Sequence, residues 1–224
     1  MGRYLLPDTS EWDGDDIRNS VIAFDEGLFR EKYNDELSEI QCSLEKHQLG
    51  FNIIEREFLD TIIALDGHVL DIGCGNGRLV TSLVAHKYVQ SGTGIDVSDM
   101  LIENAHGTVS NADAEVQLHC IAVEYFIPDK QFDAITAVEV LEHLYSPREN
   151  LQRIAGWLKP SGMFAGSVPL RRVNDCDQHL HYFTQDSLGN LLSDFFDEVD
   201  VTVLDVQGGW QLHLIFVCNQ PKKR

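Results

Sequence analysis

From residue 68 onward, short apolar runs alternate with longer stretches in which apolar residues recur at helical spacing. The runs near 68–72, 93–97, 115–120, 132–138 and 162–168 read as strands, and helices are expected between them. Ser98 stands before Asp99-Met100-Leu101 as an N-cap. In Ser146-Pro147-Arg148-Glu149 the serine falls at the N-cap, the proline at N1 and the glutamate at N3, which predicts a capping box. Lys159-Pro160-Ser161-Gly162 closes that helix, and Thr184 is expected to cap another over Gln185–Phe195. The last segment changes period. Val199–Leu204 and Leu212–Val217, separated by Gly208-Gly209, predict an antiparallel β-hairpin. Strand–helix repetition predicts an α/β fold, a doubly wound and mostly parallel sheet of seven strands with right-handed crossovers.

The first 66 residues have a different character. An acidic, irregular start leads into a short apolar cluster, Val21, Ile22, Phe24, Leu28 and Phe29. Two amphipathic stripes follow, Tyr33, Leu37, Ile40 and Leu44, then Ile54, Phe58, Ile62 and Leu65, ended by Asp66-Gly67. At 224 residues the chain is expected to form one domain, 1–224, with 1–66 as a helical N-terminal part and 67–224 as the α/β core.

The turn after the first strand is the richest stretch. Val69-Leu70-Asp71-Ile72-Gly73-Cys74-Gly75-Asn76-Gly77 is an apolar run that ends in an acid and three alternate glycines. Such a turn needs positive φ and lets a ligand approach the backbone, while the next helix offers it free N–H groups. A dinucleotide fingerprint wants a glycine where Arg78 stands. The second strand closes on another acid, Asp96, where a carboxylate can accept from both hydroxyls of a ribose.

This G-x-G-x-G pattern led by Asp71, with Asp96 after it, resembles the first motifs of class I S-adenosylmethionine (SAM) methyltransferases. Phe132–Leu144, Leu158–Gly162 and Ser167-Val168-Pro169 resemble the segments around strands four and five of that family, and the reversed final strand extends the likeness over roughly 65–218. Within that family the chain resembles the ubiquinone-biosynthesis O-methyltransferase-like group. The resemblance implies SAM as cofactor, with Gly73, Cys74, Gly75, Asn76 and Gly77 as its cradle. It implies Asp71 facing the methionyl ammonium, Asp96 on the ribose, and Val97 and Met100 beside them. It also implies that the N-terminal helices form a lid. The acid that usually meets adenine is replaced by Ile121, which leaves that task to Ala122 or Val123 backbone or to Glu124.

Glu139, Glu142 and His143 stand at i, i+3 and i+4, so on a helix they would share one face. Two carboxylates and an imidazole can hold a divalent cation, with His179 or His181 as a further ligand. The E-x-x-E-H order resembles both the ubiquinone-type enzymes and the small-RNA 3′-end 2′-O-methyltransferases, which use a metal and whose downstream histidine matches His179. Metal-free relatives carry a similar string, with Glu139 near the cofactor and His143 packing. The metal is therefore a candidate and not the favoured reading. A hydroxyl acceptor needs a base, for which His143 is the first choice and His181 the second. Arg171 and Arg172 could grip an acidic group of the acceptor.

Charge narrows the partners. A net charge of −19 disfavours a nucleic-acid surface, which draws on clustered Lys and Arg. No long apolar run suggests a membrane span. Five cysteines without a C-x-x-C pair point to a reducing, cytoplasmic setting with cysteines as small fillers. The expectation is a SAM-dependent methyltransferase acting on a small molecule at a hydroxyl oxygen. An RNA 3′-end 2′-O-methyltransferase and a non-catalytic SAM-binding subunit are the alternatives.

Overall fold

The computed structural model describes residues 67–105, 115–170, 179–205 and 212–222. Within them the chain runs β1 (His68–Ile72), α1 (Arg78–Ala85), β2 (Ser91–Asp96), α2 (Asp99–Asn104), β3 (Glu115–Cys120) and β4 (Phe132–Val138). After a 3-10 turn at Leu141–His143 it continues as α3 (Pro147–Trp157), β5 (Leu158–Pro169), α4 (Gln185–Ser193), β6 (Phe196–Asp205) and β7 (Leu212–Pro221). The strands form one seven-stranded sheet in the order β3-β2-β1-β4-β5-β7-β6. β1 to β5 are parallel, and β7 runs antiparallel to both β5 and β6. The expected α/β sheet and the closing hairpin are both present. The expected N-terminal helices, Arg171, Arg172 and Gly208-Gly209 lie outside the described residues.

Successive side chains of a strand face opposite sides, so each central strand feeds two cores. Leu70, Ile72, Ile135, Ala137 and Phe164 point to one side, where they meet Leu151 and Ile154 of α3 and Leu188, Leu191 and Leu192 of α4. Val69, Ala134 and Ala165 point to the other, against Val80, Leu83 and Val84 of α1. A parallel sheet buried on both faces needs apolar residues at both parities, which is why its strands read as unbroken apolar runs.

Several boundaries differ from expectation. β2 starts at Ser91 and ends at Asp96, so Val97 lies in the turn that follows. β5 begins at Leu158, directly where α3 ends, and an irregularity in its pairing with β4 accommodates the Lys159–Gly162 stretch. The capping box at Ser146 does not form. Ser146 holds the N-cap position with Pro147 at N1, yet its side chain makes no cap hydrogen bond, and Glu149 faces solvent. Ser98 does cap α2, accepting from Leu101 N–H at 3.2 Å.

Thr184 caps α4 as expected, accepting from Ser187 N–H at 3.1 Å, while Ser187 Oγ accepts in return from Thr184 N–H at 2.9 Å. The helix ends at Ser193, earlier than predicted. Thr184→Ala removes the hydroxyl partner from the first turn of a helix that roofs the core, and should lower unfolding free energy by about 1 kcal/mol. Urea unfolding followed by circular dichroism measures this.

Candidate functional site

The C-terminal ends of the parallel strands and the start of antiparallel β7 bring their polar residues to one edge of the sheet. Gly73, Gly75 and Gly77 follow β1 with φ of 68°, 54° and 76°, the left-handed region that the turn requires. The N–H groups of Gly73 and Cys74 both donate to the carbonyl of Ile95, at 2.8 and 3.0 Å, which pins the loop to β2. A side chain at Gly73 would run into Val140 Cγ2, so this loop lies directly against the segment that follows β4. Gly77 is the N-cap of α1 and supplies no side-chain cap.

Two buried acids flank the loop. Asp71 accepts from Thr136 Oγ1 at 2.7 Å. Asp96 takes the N–H of Gly75 on Oδ2 and the N–H of Ser98 on Oδ1, both at 2.8 Å. Burial raises its carboxyl above the ordinary value, and these backbone donors pull it back. A carboxylate offers about four acceptor positions, so acceptor capacity remains for a ribose hydroxyl beside these backbone donors. Cys74 is also buried, its thiol pushed up by burial and by the charges of Asp71 and Asp96, which makes it an inert filler. Asn76 is exposed, and Val97, before α2, and Met100, in its first turn, are half-buried. The chain therefore presents a positive-φ glycine loop, an uncapped helix start and a ribose-ready acid together, and this donor set fits a SAM nucleoside.

The next segment follows β3. Ile121 N–H donates to the carbonyl of Asp96 at 2.8 Å and ties it to the loop. Ala122 and Val123 are buried, and Glu124 Oε1 accepts from Asn150 Nδ2 at 3.0 Å. An open groove of about 580 Å³ runs along this edge, between Leu118, Ile121, Tyr125 and Ile127 among others.

The helix on which Glu139, Glu142 and His143 would share a face does not form. Glu139 instead adopts φ of 56°, and a 3-10 turn spans Leu141–His143. A left-handed conformation in a non-glycine residue is costly and persists where its surroundings hold it. The turn separates the three residues that a helix would have aligned. Glu139 turns toward β5 and β7. Its Oε1 accepts from Ser167 Oγ at 2.6 Å and from His213 Nδ1 at 3.1 Å. Glu142 and His143 meet His179 instead, with one ligand atom from each lying within 4.8 Å of the others. The rings of His143 and His179 pack edge to face at 5.0 Å.

Glu142 is 1 % exposed, and neither carboxylate oxygen finds a hydrogen-bond partner among the described residues. Burial and the charge of Glu139 push its carboxyl well above the ordinary value. Its backbone carbonyl accepts from Leu180 and His181 N–H at 2.8 and 3.1 Å, which is what carries His179 to the cluster. His179 is held below its ordinary value by burial, while Glu139 draws it up and His213 pushes it down. A buried carboxylate without a hydrogen-bond partner among the described residues, 3.8 Å from His143 Nε2 and beside a second imidazole, is a donor set that suits a divalent cation.

His181 is removed from the candidate bases. It is 1 % exposed and its Nε2 lies 2.7 Å from the carbonyl of Leu144. A carbonyl only accepts, so Nε2 carries the proton, and the basic Nδ1 is sealed from solvent. Burial lowers its pKa to about 4. It is a structural histidine that fastens the 179–183 segment to the turn. Thr136, Ser167, Asn150 and His213 are partners that the sequence did not reveal. His213 left a trace, as the one polar residue in Leu212–Val217.

A sheet in this order with one reversed strand, a glycine loop after its first strand and an acid at the end of its second define a class I, SAM-dependent methyltransferase. Residues 45–195 match the family described as a methyltransferase domain, and the chain belongs to that family. It is 34 % identical over 113 residues to the ubiquinone biosynthesis O-methyltransferase of Coxiella burnetii, a match covering 50 % of this chain and 47 % of that protein. The enzyme of the same description from Neisseria meningitidis serogroup C is 34 % identical over 110 residues, covering 44 % and 45 %. The chain thus spans about half the length of the curated relatives it matches. In architecture it is similar to the N-methyltransferase NodS of Bradyrhizobium japonicum in complex with S-adenosylhomocysteine, with a TM-score of 0.59 at 22 % identity over 71 % of this chain and 80 % of that one. No described helix is long and apolar enough to cross a membrane.

Proposed function

We propose that this methyltransferase acts on a hydroxyl oxygen of a small molecule. The observation that carries the reading is the Glu142–His143–His179 cluster set beside the glycine loop, with Val140 packed against Gly73 as the link. Methyl transfer to an amine that is already neutral needs no such group, whereas a hydroxyl must lose a proton. The matched relatives are named as O-methyltransferases, which agrees. SAM supplies an activated methyl on a sulfonium. Gly73, Cys74, Gly75, Asn76 and Gly77 cradle it, Asp71 faces its ammonium, and Asp96 holds its ribose. Val97, Met100, Ala122, Val123 and Glu124 surround its adenine, with the groove along β3 as the neighbouring space. The lid at 1–66 and the arginines 171 and 172 would wall the acceptor cavity and hold an acidic acceptor group. The chain's task is to align oxygen, methyl carbon and sulfur.

Glu142, His143 and His179 would hold a divalent cation, which when bound lowers the pKa of the acceptor hydroxyl. Glu139 stands outside this set because its Oε1 turns to Ser167 and His213, away from the grouped ligand atoms. The test is labelled-methyl transfer from SAM to phenols, sugars, carboxylates, amines and short RNA, with and without chelator. We expect turnover on hydroxyl-bearing small molecules that falls with chelator and returns with added cation. Transfer only to amines would overturn the oxygen reading, and chelator-insensitive transfer would return His143 to the role of base. His143→Ala should keep SAM affinity within about two-fold and slow transfer by roughly 10²-fold or more.

A further inference from the structure

We infer that Thr136 is a positioning residue for the cofactor, its hydroxyl holding the Asp71 carboxylate in the orientation that meets the methionyl ammonium. The inference rests on the proposed place of Asp71 and gives a role to a residue that the proposed site does not include.

A hydroxyl in the middle of a buried strand must be matched. In β4, Ala134 and Val138 flank Thr136 on one face and pack into the core beneath α1. Thr136 stands between them with no exposed surface. Burying a hydroxyl costs free energy unless it is hydrogen-bonded, a cost that an apolar residue of the same shape avoids. The register supplies the partner. Thr136 lies directly across from Asp71 in the parallel pairing of β1 with β4, so both side chains rise on the same face. Its Oγ1 lies 2.7 Å from Asp71 Oδ1 and 3.4 Å from the carbonyl of Leu70. One hydrogen serves the shorter contact, and that contact is to the carboxylate.

The other side of Asp71 belongs to the glycine loop. Its partner on β2 is Gly94, which has no side chain. Cys74 Sγ takes that space, since an added Cβ at Gly94 would meet it at 2.7 Å. The charge of Asp71 is among the causes that push the Cys74 thiol up, as expected of a carboxylate set against the loop. The thiol points its weak donor at the Gly75 carbonyl, at 3.7 Å. Asp71 is therefore 2 % exposed between a loop cysteine on the β2 side and Thr136 on the β4 side, and of these two Thr136 is the one that donates to it.

Two consequences follow for a ligand. A donor on Oδ1 fixes the torsion of the carboxylate before the cofactor arrives, which reduces the ordering that binding must supply. It also favours the charged form, which burial opposes and an ammonium requires. Thr136 need not touch the cofactor for either. Both effects fall on the ammonium and leave ribose and adenine contacts as they are.

Calorimetry on the full chain with two ligands tests this. One is S-adenosylhomocysteine, and the other is its des-amino analogue, which lacks only the ammonium. Thr136→Val keeps the shape and removes the hydroxyl. It should weaken S-adenosylhomocysteine about ten-fold, the scale of one hydrogen bond to a charged group, and move the analogue by no more than about two-fold. Thr136→Ser returns the hydroxyl and should return most of the preference for the ammonium. Asp71→Asn should erase that preference, and Thr136→Val should add little to it in the double variant. Damage to the fold weakens both ligands alike, so the ratio of the two affinities separates positioning from damage. Thr136→Cys, a weaker donor, should give an intermediate ratio and carries the test if the valine variant does not fold. A ratio lost in Asp71→Asn but kept in Thr136→Val would overturn the role of Thr136 alone, as would equal weakening of both ligands. A ratio kept in Asp71→Asn would remove Asp71 from the ammonium, and the role of Thr136 with it.

Discussion

Asp96→Ala removes SAM and S-adenosylhomocysteine affinity by about 10²- to 10⁴-fold. The size follows from two ribose hydroxyls losing hydrogen bonds to a charged acceptor, each worth about 1.5–3 kcal/mol. A second effect adds to the first. In the free protein the same carboxylate receives the N–H groups of Gly75 and Ser98, so it sets the glycine loop and caps the approach to α2 before any ligand arrives. Alanine leaves two largely enclosed N–H groups unmatched, at a cost of about 1–3 kcal/mol each, and frees the loop to leave its left-handed path. Asp96→Asn separates the effects. Its amide retains one acceptor oxygen but turns a donor toward an N–H, so binding should fall between wild type and alanine. Calorimetry with both ligands measures affinity, and circular dichroism checks folding. A folded Asp96→Ala protein with unchanged affinity would remove Asp96 from the ribose site.

The scaffold was readable because its signals are local. β1, β3 and β4 fall where the apolar runs placed them, and the glycines occupy the conformation that their spacing requires. Ser98 and Thr184 cap their helices as a hydroxyl before a helical period should. Ser146 stands at the N-cap before Pro147 as its pattern predicts, yet its side chain makes no cap bond and Glu149 stays in solvent. That outcome depends on how α3 meets the sheet, which spacing does not encode.

The site was legible at its acids and illegible in its pairings. Glu139, Glu142 and His143 suit one helical face, and nothing in the string announces that Glu139 adopts φ of 56°. The reason lies in β5 and β7, which supply Ser167 and His213 from positions 28 and 74 residues away. Two hydrogen bonds to a carboxylate outweigh the local helical preference, whose worth is a fraction of a kcal/mol per residue. Likewise His179 and His181 look equivalent in Gln178–Phe183, with one residue between them. On a strand, positions i and i+2 would share a face, but this segment is irregular, and its N–H bonds from Leu180 and His181 to the Glu142 carbonyl leave one ring at the cluster and the other in the core. Long-range partners decide roles that sequence neighbours cannot.

Gly166→Ala should be the most damaging of the substitutions to stability, and its effect reaches the same site. Gly166 lies in β5 between Ala137 of β4 and Phe216 of β7. An added Cβ would fall on the carbonyl oxygen of Ala137 and on the Phe216 ring, with Cε1 at 2.8 Å. Neither neighbour can yield cheaply. The carbonyl belongs to a parallel ladder, and Phe216 is fully buried and packs on Phe164 at 5.0 Å. Overpacking of a core usually costs about 1–3 kcal/mol, and a clash with backbone belongs at the top of that range or above it. For a chain of this size about 3 kcal/mol corresponds to a fall in Tm of roughly 6–12 °C. Because Ser167 is the next residue, the shift also draws its hydroxyl from Glu139 and loosens the turn that leads to Glu142 and His143, so methyl transfer should fall in molecules that remain folded. Gly156→Ala is the control of opposite sign. Gly156 is exposed on α3 with nothing within 4 Å of an added Cβ, so alanine there should stabilise by about 0.5–1 kcal/mol. Thermal melts of the two variants decide the matter, and a Gly166→Ala protein that melts with wild type would show that β4 and β7 are not packed as closely as these contacts require.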